Sequence, residues 1–258
     1  MWAYLTELMK SLLSTLTSVT GSPGFAIILL TVLIRVVLHP LNVKQMRSMQ
    51  QMQKLQPRLK VLQEKYGDDR ETLGRETMAL YKEYGVNPAA GCFPLLLQLP
   101  VLILLFSALR TADYGGRTFF GLSLEGSLVS QLALATNMPI TDPSQLGVFS
   151  VFGWVFGHPA GLANIGVYGM NLLFVVLIVV LTYLQQKMST GNNPEMKTML
   201  IIMPLMLAYI SLSLPGGVAL YWAVSSIIGV AQQYWINAKV AREPKPVLYQ
   251  EKPKKEDM

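Results

Sequence analysis

The sequence predicts an all-α membrane protein: five transmembrane helices, a cytoplasmic helical hairpin and an N-terminal amphipathic interfacial helix. Three observations carry that expectation. The chain is 52% hydrophobic and only 14% charged, where soluble domains carry about 25% charged residues. Its apolar residues are gathered into long blocks, as a lipid solvent demands. Its basic residues are concentrated in the segments that would face one side of a membrane.

The elements follow in order. Residues 1–21 place Leu5, Leu8, Leu12 and Leu16 at helical spacing with few charges, which predicts an amphipathic helix on the outer membrane surface. A cleaved signal peptide fits less well, because the opening residues lack a positive cluster and a long apolar core before a small-residue site. The only cysteine is Cys92, so no lipid-acceptor cysteine lies in this region. The spans are expected at 22–42, 93–110, 168–187, 198–214 and 217–236, each near the ~20 residues that cover a hydrocarbon core of about 30 Å. The fourth is short and contains Pro204, which points to a kink. The stretch "LPGGV" at 214–218 is read as a tight turn between the last two spans.

Orientation follows from Lys and Arg near the span ends. Of the 21 basic residues, all but Lys10, Arg35, Arg110 and Arg117 lie in 43–92, at Lys187 or Lys197, or in the tail 239–258. This bias puts the hairpin, the 188–197 loop and the C-terminus in the cytoplasm and the N-terminus outside. The outer loop 111–166 mixes Gly, Ser and Pro with apolar pieces such as "GVFSVFGWVFG". Resting on the membrane and covering the outer mouth both fit it.

Residues 43–86 read as two polar helices joined at "YGDD". Met46, Met49, Met52, Leu55, Leu59 and Leu62 form a narrow apolar stripe with basic flanks. Two readings stand together: a solvated hairpin whose seam packs on itself, and a methionine surface that adapts to varied sequences.

The sharpest feature is Arg35, inside "TVLIRVVLHP". It precedes Lys44 by nine residues, so it lies roughly 13 Å deeper along a helix. Insertion scales charge about 2.5–3.5 kcal/mol for arginine at the centre of a span. None of the fifteen Asp and Glu residues falls inside a predicted span, so Arg35 has no intramembrane counter-ion and is expected to be hydrated or paired with a visitor. Thr31 and His39, one turn either side, line its face. Gln98, Gln185, Gln186, Gln232 and Gln233 add polar groups in the same inner half. Ser225 and Ser226 sit near mid-depth, and Tyr221 and Trp222 somewhat further out. The outer halves are nearly all aliphatic. This pattern predicts a wet concavity open to the cytoplasm and closed toward the outside, suited to an acidic or polar chain segment arriving from within.

Other classes fare worse. One cysteine and two widely separated histidines offer no metal-ligand spacing and no cofactor site. No paired intramembrane aspartates, zinc-protease motif or supported Ser/His pair is present, so no catalytic residue is expected. A transporter for an anionic solute, using Arg35 as its binding site, is the main alternative. Against it, no acidic residue lies in a span to carry protons or sodium, and no repeated halves are evident.

"TVLIRVVLHPL", "LQPRLKVLQEKYGDD", "ETMALYKEYGVNPAAGCFPLLLQLPV", "LTYLQQKMS" and "LPGGVALYWAVSSIIGVAQQYWI" resemble the YidC-type membrane protein insertases, whose bacterial, mitochondrial and thylakoid members share a five-span core. The likeness covers roughly 22–110 and 168–240. It implies an insertase and chaperone in a bacterial plasma membrane that passes nascent membrane proteins into the bilayer, alone or beside the Sec translocon. By motif, Arg35 corresponds to the family's groove arginine and Thr31 to the threonine one turn earlier. Gln185 or Gln186 and Tyr221 with Trp222 fall at substrate-contacting positions, and 43–86 corresponds to the mobile cytoplasmic hairpin. Two departures accompany the likeness: 111–166 does not follow the family pattern, and the large periplasmic domain of many Gram-negative members has no counterpart. The tail is basic but short, where long-tailed relatives use theirs to help bind ribosomes; a disordered, solvated tail fits equally. Nothing points to specific nucleic-acid recognition.

Overall fold

The computed structural model describes residues 2–87, 93–111, 116–139, 147–190 and 197–241. The tail beyond 241 and most of the 188–197 loop lie outside the described residues, as do the side chains of 93–98, Gln98 among them. The fold is helical, with one small hairpin of strands. Helices α1 (Trp2–Thr20) and α2 (Pro23–Val37) meet at a sharp turn, their axes bent by 119°. Pro23 opens α2 where its missing N–H costs nothing. Only Leu13 of the described α1 side chains is buried; it joins Ala26, Ile27 and Leu30 of α2 and Leu105, Ala108 and Leu109 of α5 (Phe93–Thr111) in the main core.

α2 ends at Val37, earlier than the expected limit at 42, and α3 (His39–Tyr66) begins almost at once. The cause is Pro40. It cannot donate to Val36, so the helical ladder is interrupted around Leu38. α3 therefore leads directly from α2 into the hairpin and pairs with α4 (Arg70–Glu83). The first half of α3 docks on α8 (Ile165–Thr190) and α10 (Gly216–Ala241). Its buried residues are Gln45, Met46, Gln50 and Leu55, so the docked face mixes amides with the methionine stripe. Farther out, Arg58 Nη1 donates to the Tyr84 hydroxyl and its guanidinium lies 5.0 Å from that ring centre.

The 111–166 region is an ordered cap in its described part. Strands β1 (Thr118–Phe119) and β2 (Leu122–Ser123) form an antiparallel hairpin. Phe120 turns it at φ +48°, a left-handed conformation uncommon for a bulky residue. Its ring packs edge-on against Phe119 and Phe25. Helices α6 (Leu128–Ala135) and α7 (Val148–Gly157) follow and bury Val129, Leu132, Val151 and Val155 together, with α6 lying against α8. The cap is tied to the bundle through backbone. Gly217 donates to Leu124 O (2.9 Å), Gly216 to Gly126 O (3.0 Å), and Asn171 of α8 donates to Gly126 O (3.1 Å). Leu122 and Leu124 are fully buried. Covering the bundle end is thus the arrangement observed.

Among the described residues, one helix, Ile165–Ser189, is by itself long and apolar enough to cross a membrane. Ala3–Thr20 and Pro23–Val37 meet that measure only as a bent pair, and Leu99–Leu109 and Leu200–Ser213, the latter inside α9 (Lys197–Ser213), are shorter apolar helices.

Two outcomes test these contacts. A Cβ at Gly216 would sit 2.0 Å from the Ser123 backbone oxygen, which cannot step aside as a flexible side chain would. Gly216→Ala should loosen the cap and lower the thermal midpoint, with protease cleavage rising first within 116–139. At the hairpin, Asp69 caps α4 by accepting from Glu71 N and Thr72 N, both at 3.1 Å. The bonds from Thr72 hold its carboxyl below the usual carboxylate range. A lowered pKa stabilises above the ordinary value and is lost as pH falls through the lowered one. Hydrogen exchange in the first turn of α4 should therefore stay slow on acidification through the ordinary carboxylate range and quicken only below it. Asp69→Ala should exchange faster at neutral pH.

Candidate functional site: a polar seam between two helices

The candidate site lies where α2 and the start of α3 face α10. On one side, Thr31, Arg35 and His39 succeed one another at four-residue spacing. On the other, Tyr221 and Ser225 are a turn apart and Gln232 follows two turns later, so each set forms a stripe along its helix. The stripes meet at two points. Arg35 Nε donates to Ser225 Oγ at 2.8 Å, and Gln232 Nε2 donates to His39 Nδ1 at 2.9 Å. Tyr221 is 2% exposed, within the core cluster that holds Ile27 and Leu30.

Arg35 is half-buried. The bond to Ser225 is its only hydrogen bond to the described residues, leaving the Nη1 and Nη2 donors of the fork without a protein acceptor there. The only ion pair among the described residues is Lys10–Glu7 (2.8 Å) on α1, so no described carboxylate lies beside the guanidinium. A hydrogen bond to a charged group contributes about 1.5–3 kcal/mol, against ~2.5–3.5 kcal/mol for an arginine at the centre of a span, so the bond to Ser225 offsets most of such a cost only at the top of its range. The open Nη donors are where water or a ligand would add to it.

The other expected residues fall into place unequally. Thr31 shares the Arg35 face, but it is fully buried and its hydroxyl donates to Ile27 O at 2.6 Å. Its polar group is turned into its own helix, as mid-helix threonines often do. Trp222, next to Tyr221, points instead to the cluster of Ile178, Ala219 and Ala223 between α8 and α10. Gln185 also lies on this α8 side. Its amide packs so close to Gly229 that a Cβ there would be 2.9 Å from Nε2, and the glutamine would have to shift to admit one. Gln186 is half-buried beside it in sequence. Gln98 cannot be placed, its side chain lying outside the described residues.

A second polar layer brings Gln233, expected in the inner half, together with α3 amides that were not anticipated there. Gln233, 1% exposed, donates to Asn237 Oδ1 at 3.0 Å, and Gln50 Nε2 donates to the same oxygen. Gln53 Nε2 donates to Ser189 O and, at 3.3 Å, to Met188 O, capping the carbonyl end of α8. Gln45 Nε2, Gln50 Oε1 and Gln232 Oε1 are buried without a partner among the described residues. The one available signal was the amide-rich run "QMRSMQQMQ", in which glutamines share the methionine stripe.

Among the described residues, a helical bundle whose polar seam centres on an arginine with no carboxylate beside it is the arrangement expected of a membrane insertase. The comparisons agree. Residues 15–243 match the family described as 60Kd inner membrane protein. The membrane protein insertase YidC of Fusobacterium nucleatum is 35% identical over 244 residues, covering 93% of this chain and 100% of that protein. The chloroplast inner membrane ALBINO3-like protein 2 of Chlamydomonas reinhardtii is 39% identical over 85% of this chain, which spans 50% of its length. A crystal structure of an active YidC insertase with its first transmembrane domain resolved superposes with a TM-score of 0.62 at 27% identity, over 91% of this chain and 46% of that one. The chain belongs to the YidC/Oxa1/Alb3 family of membrane protein insertases, whose members act without covalent catalysis.

The seam yields a direct expectation. If water stands ready to replace the hydroxyl, Ser225→Ala should cost less than about 1 kcal/mol of stability in chemical denaturation, short of the ~1.5–3 kcal/mol of a dry charged hydrogen bond.

Proposed function

We propose that this protein inserts nascent membrane proteins into the bilayer through a one-sided hydrophilic groove built on the α2–α10 seam. The observation that carries the reading is Arg35: half-buried, bonded to Ser225, and without a described carboxylate beside it. The polar flank of a client, drawn in from the cytoplasm, meets the free Nη donors. Charge attraction is strong where the dielectric is low. The client's own apolar helix then slides into lipid, and burial of its surface supplies most of the driving force. Ser225, Tyr221, Gln185, Gln186 and Trp222 line or border the path, Gln98 remains a candidate by its place in the sequence alone, and Thr31 sets the packing under Arg35. Buried amide atoms without a partner among the described residues, Gln45 Nε2, Gln50 Oε1 and Gln232 Oε1, support a wet inner half, since such atoms are usual stations for bound water.

In this reading α2, α5, α8, α9 and α10 are the five crossings, and α1 lies on the outer surface. Support comes from apolar side chains left exposed along them: Leu29, Leu33 and Val36 of α2, Leu173 and Val176 of α8, Ile201 and Leu205 of α9. Lipid is the solvent that leaves such surface unpenalised. The cap closes the outer end, and the hairpin, cytoplasmic by the charge bias, receives clients. The ribosome and the Sec translocon are candidate partners, the first through the basic tail. A carrier for small anions is disfavoured because no described acidic residue borders the seam to couple transport.

Reconstituted insertion of a single-span client with an acidic flank tests this. Arg35→Ala should reduce insertion about tenfold or more, as loss of ~1.4 kcal/mol of attraction would, and Arg35→Lys should retain most of it. Full insertion by both variants would reject the electrostatic role. Photo-crosslinks from position 225 to the client, with no saturable anion uptake by the same liposomes, separate insertase from carrier.

A further inference from the structure

A second cationic feature lies apart from Arg35. A cavity of about 200 Å³ opens between the first turns of α3 and the last turns of α10, lined by His39, Val43, Arg47, Trp235, Ile236 and Lys239. Its apolar floor is Val43 with the buried Ile236. Its rim carries two cations, both exposed, neither with a carboxylate within ion-pair range among the described residues. Lys239 Nζ stands 5.1 Å from the Trp235 ring centre, which steers the ammonium over the pocket wall. His39 gives its Nδ1 to Gln232, so its other ring nitrogen is the one left for the cavity.

The cavity also sits at a telling height. Val36 and Val37, 64% and 74% exposed, end the lipid-facing run of α2 just before it, and Tyr234 and Trp235 stand exposed on α10 beside it. Exposed apolar residues giving way to tyrosine, tryptophan and then Lys/Arg is the sequence of environments across a membrane–water boundary. Basic pockets between helices at that level suit lipid headgroups. We propose that this cavity binds the phosphate headgroup of an anionic glycerophospholipid of the cytoplasmic leaflet. Arg47 and Lys239 hold the phosphate, Trp235 packs along the glycerol region, and Val43 with Ile236 meets the first acyl methylenes. The inference rests on the cytoplasmic placement of the inner helix ends proposed above, not on the role of Arg35. Such a lipid would tie the hinge at Leu38, where α2 passes into the hairpin, to the membrane surface.

Native mass spectrometry of the detergent-solubilised full chain, titrated with phosphatidylglycerol, phosphatidylcholine or inorganic phosphate, tests it. Phosphatidylglycerol should bind more tightly than phosphatidylcholine. Each cation near an anionic surface is worth about fivefold, so Arg47→Gln with Lys239→Gln should weaken it roughly thirtyfold. Val43→Glu, which puts a like charge into the pocket, should weaken it as well. Millimolar inorganic phosphate should not displace the lipid. Undiminished binding by the double variant and by Val43→Glu overturns the proposal, as does phosphate binding as tightly as the lipid, which would assign the site to a soluble anion. It is likewise overturned if lipid binding is unaffected while client crosslinks at position 47 disappear in the variant, which would assign the site to clients. Because the readout is lipid retention, failure here leaves the Arg35 experiment standing on its own.

Discussion

The contact between Arg35 Nε and Ser225 Oγ is the constraint around which the bundle is arranged. An arginine in the inner half of a span is tolerable only if its charge is solvated. One serine hydroxyl orients the guanidinium but leaves most of its donor capacity open. An acidic residue on α10 would have satisfied it and made it inert as an attractor. The stripe on α10 instead offers neutral groups, Tyr221, Ser225 and Gln232, of which Ser225 holds the cation without cancelling it.

The surroundings divide by depth. Toward the outer end the seam is sealed by packing: Ile27, Leu30, Leu105, Leu109, Val218 and Leu220 form one core, closed above by Leu122 and Leu124 and the backbone bonds to Gly216 and Gly217. Toward the inner end it is amides, His39–Gln232, Gln50–Asn237–Gln233 and Gln53 on the α8 terminus. Apolar packing excludes water and partly satisfied amides retain it. That asymmetry is what a one-sided groove requires. The same layer anchors the hairpin, since Gln50 and Gln53 of α3 supply two of its hydrogen bonds.

Much of this was legible in the sequence. The helices at 23–37, 93–111, 165–190, 197–213 and 216–241 follow the apolar blocks, because a run of that length and composition has few alternatives. Arg35 was visible as a lone charge, and the absence of acidic residues from the spans predicted that it would lack a carboxylate. What escaped notice was pairing across helices. The partnership of Arg35 with Ser225 spans 190 residues, and no local pattern encodes it. Thr31 was expected on the wet face from spacing alone, but spacing does not say that a hydroxyl will bond its own helix. The cap was unreadable for a related reason: short apolar pieces such as "GVFSVFGWVFG" suit a membrane surface and a packed lid alike, and the choice is made by Asn171, Gly216 and Gly217, which lie elsewhere in the chain. Pro40, by contrast, was a local signal for the break at Leu38 that the apolar run concealed.

The most direct test is the hydration of the guanidinium itself. In arginine-labelled protein in lipid nanodiscs, the Arg35 side-chain resonances, assigned by their loss in Arg35→Lys, report exchange with water. Rapid water exchange at the Nη protons, quenched by a soluble paramagnetic chelate only from the cytoplasmic face, is the result the account predicts. Nη protons protected from water on both faces would contradict it.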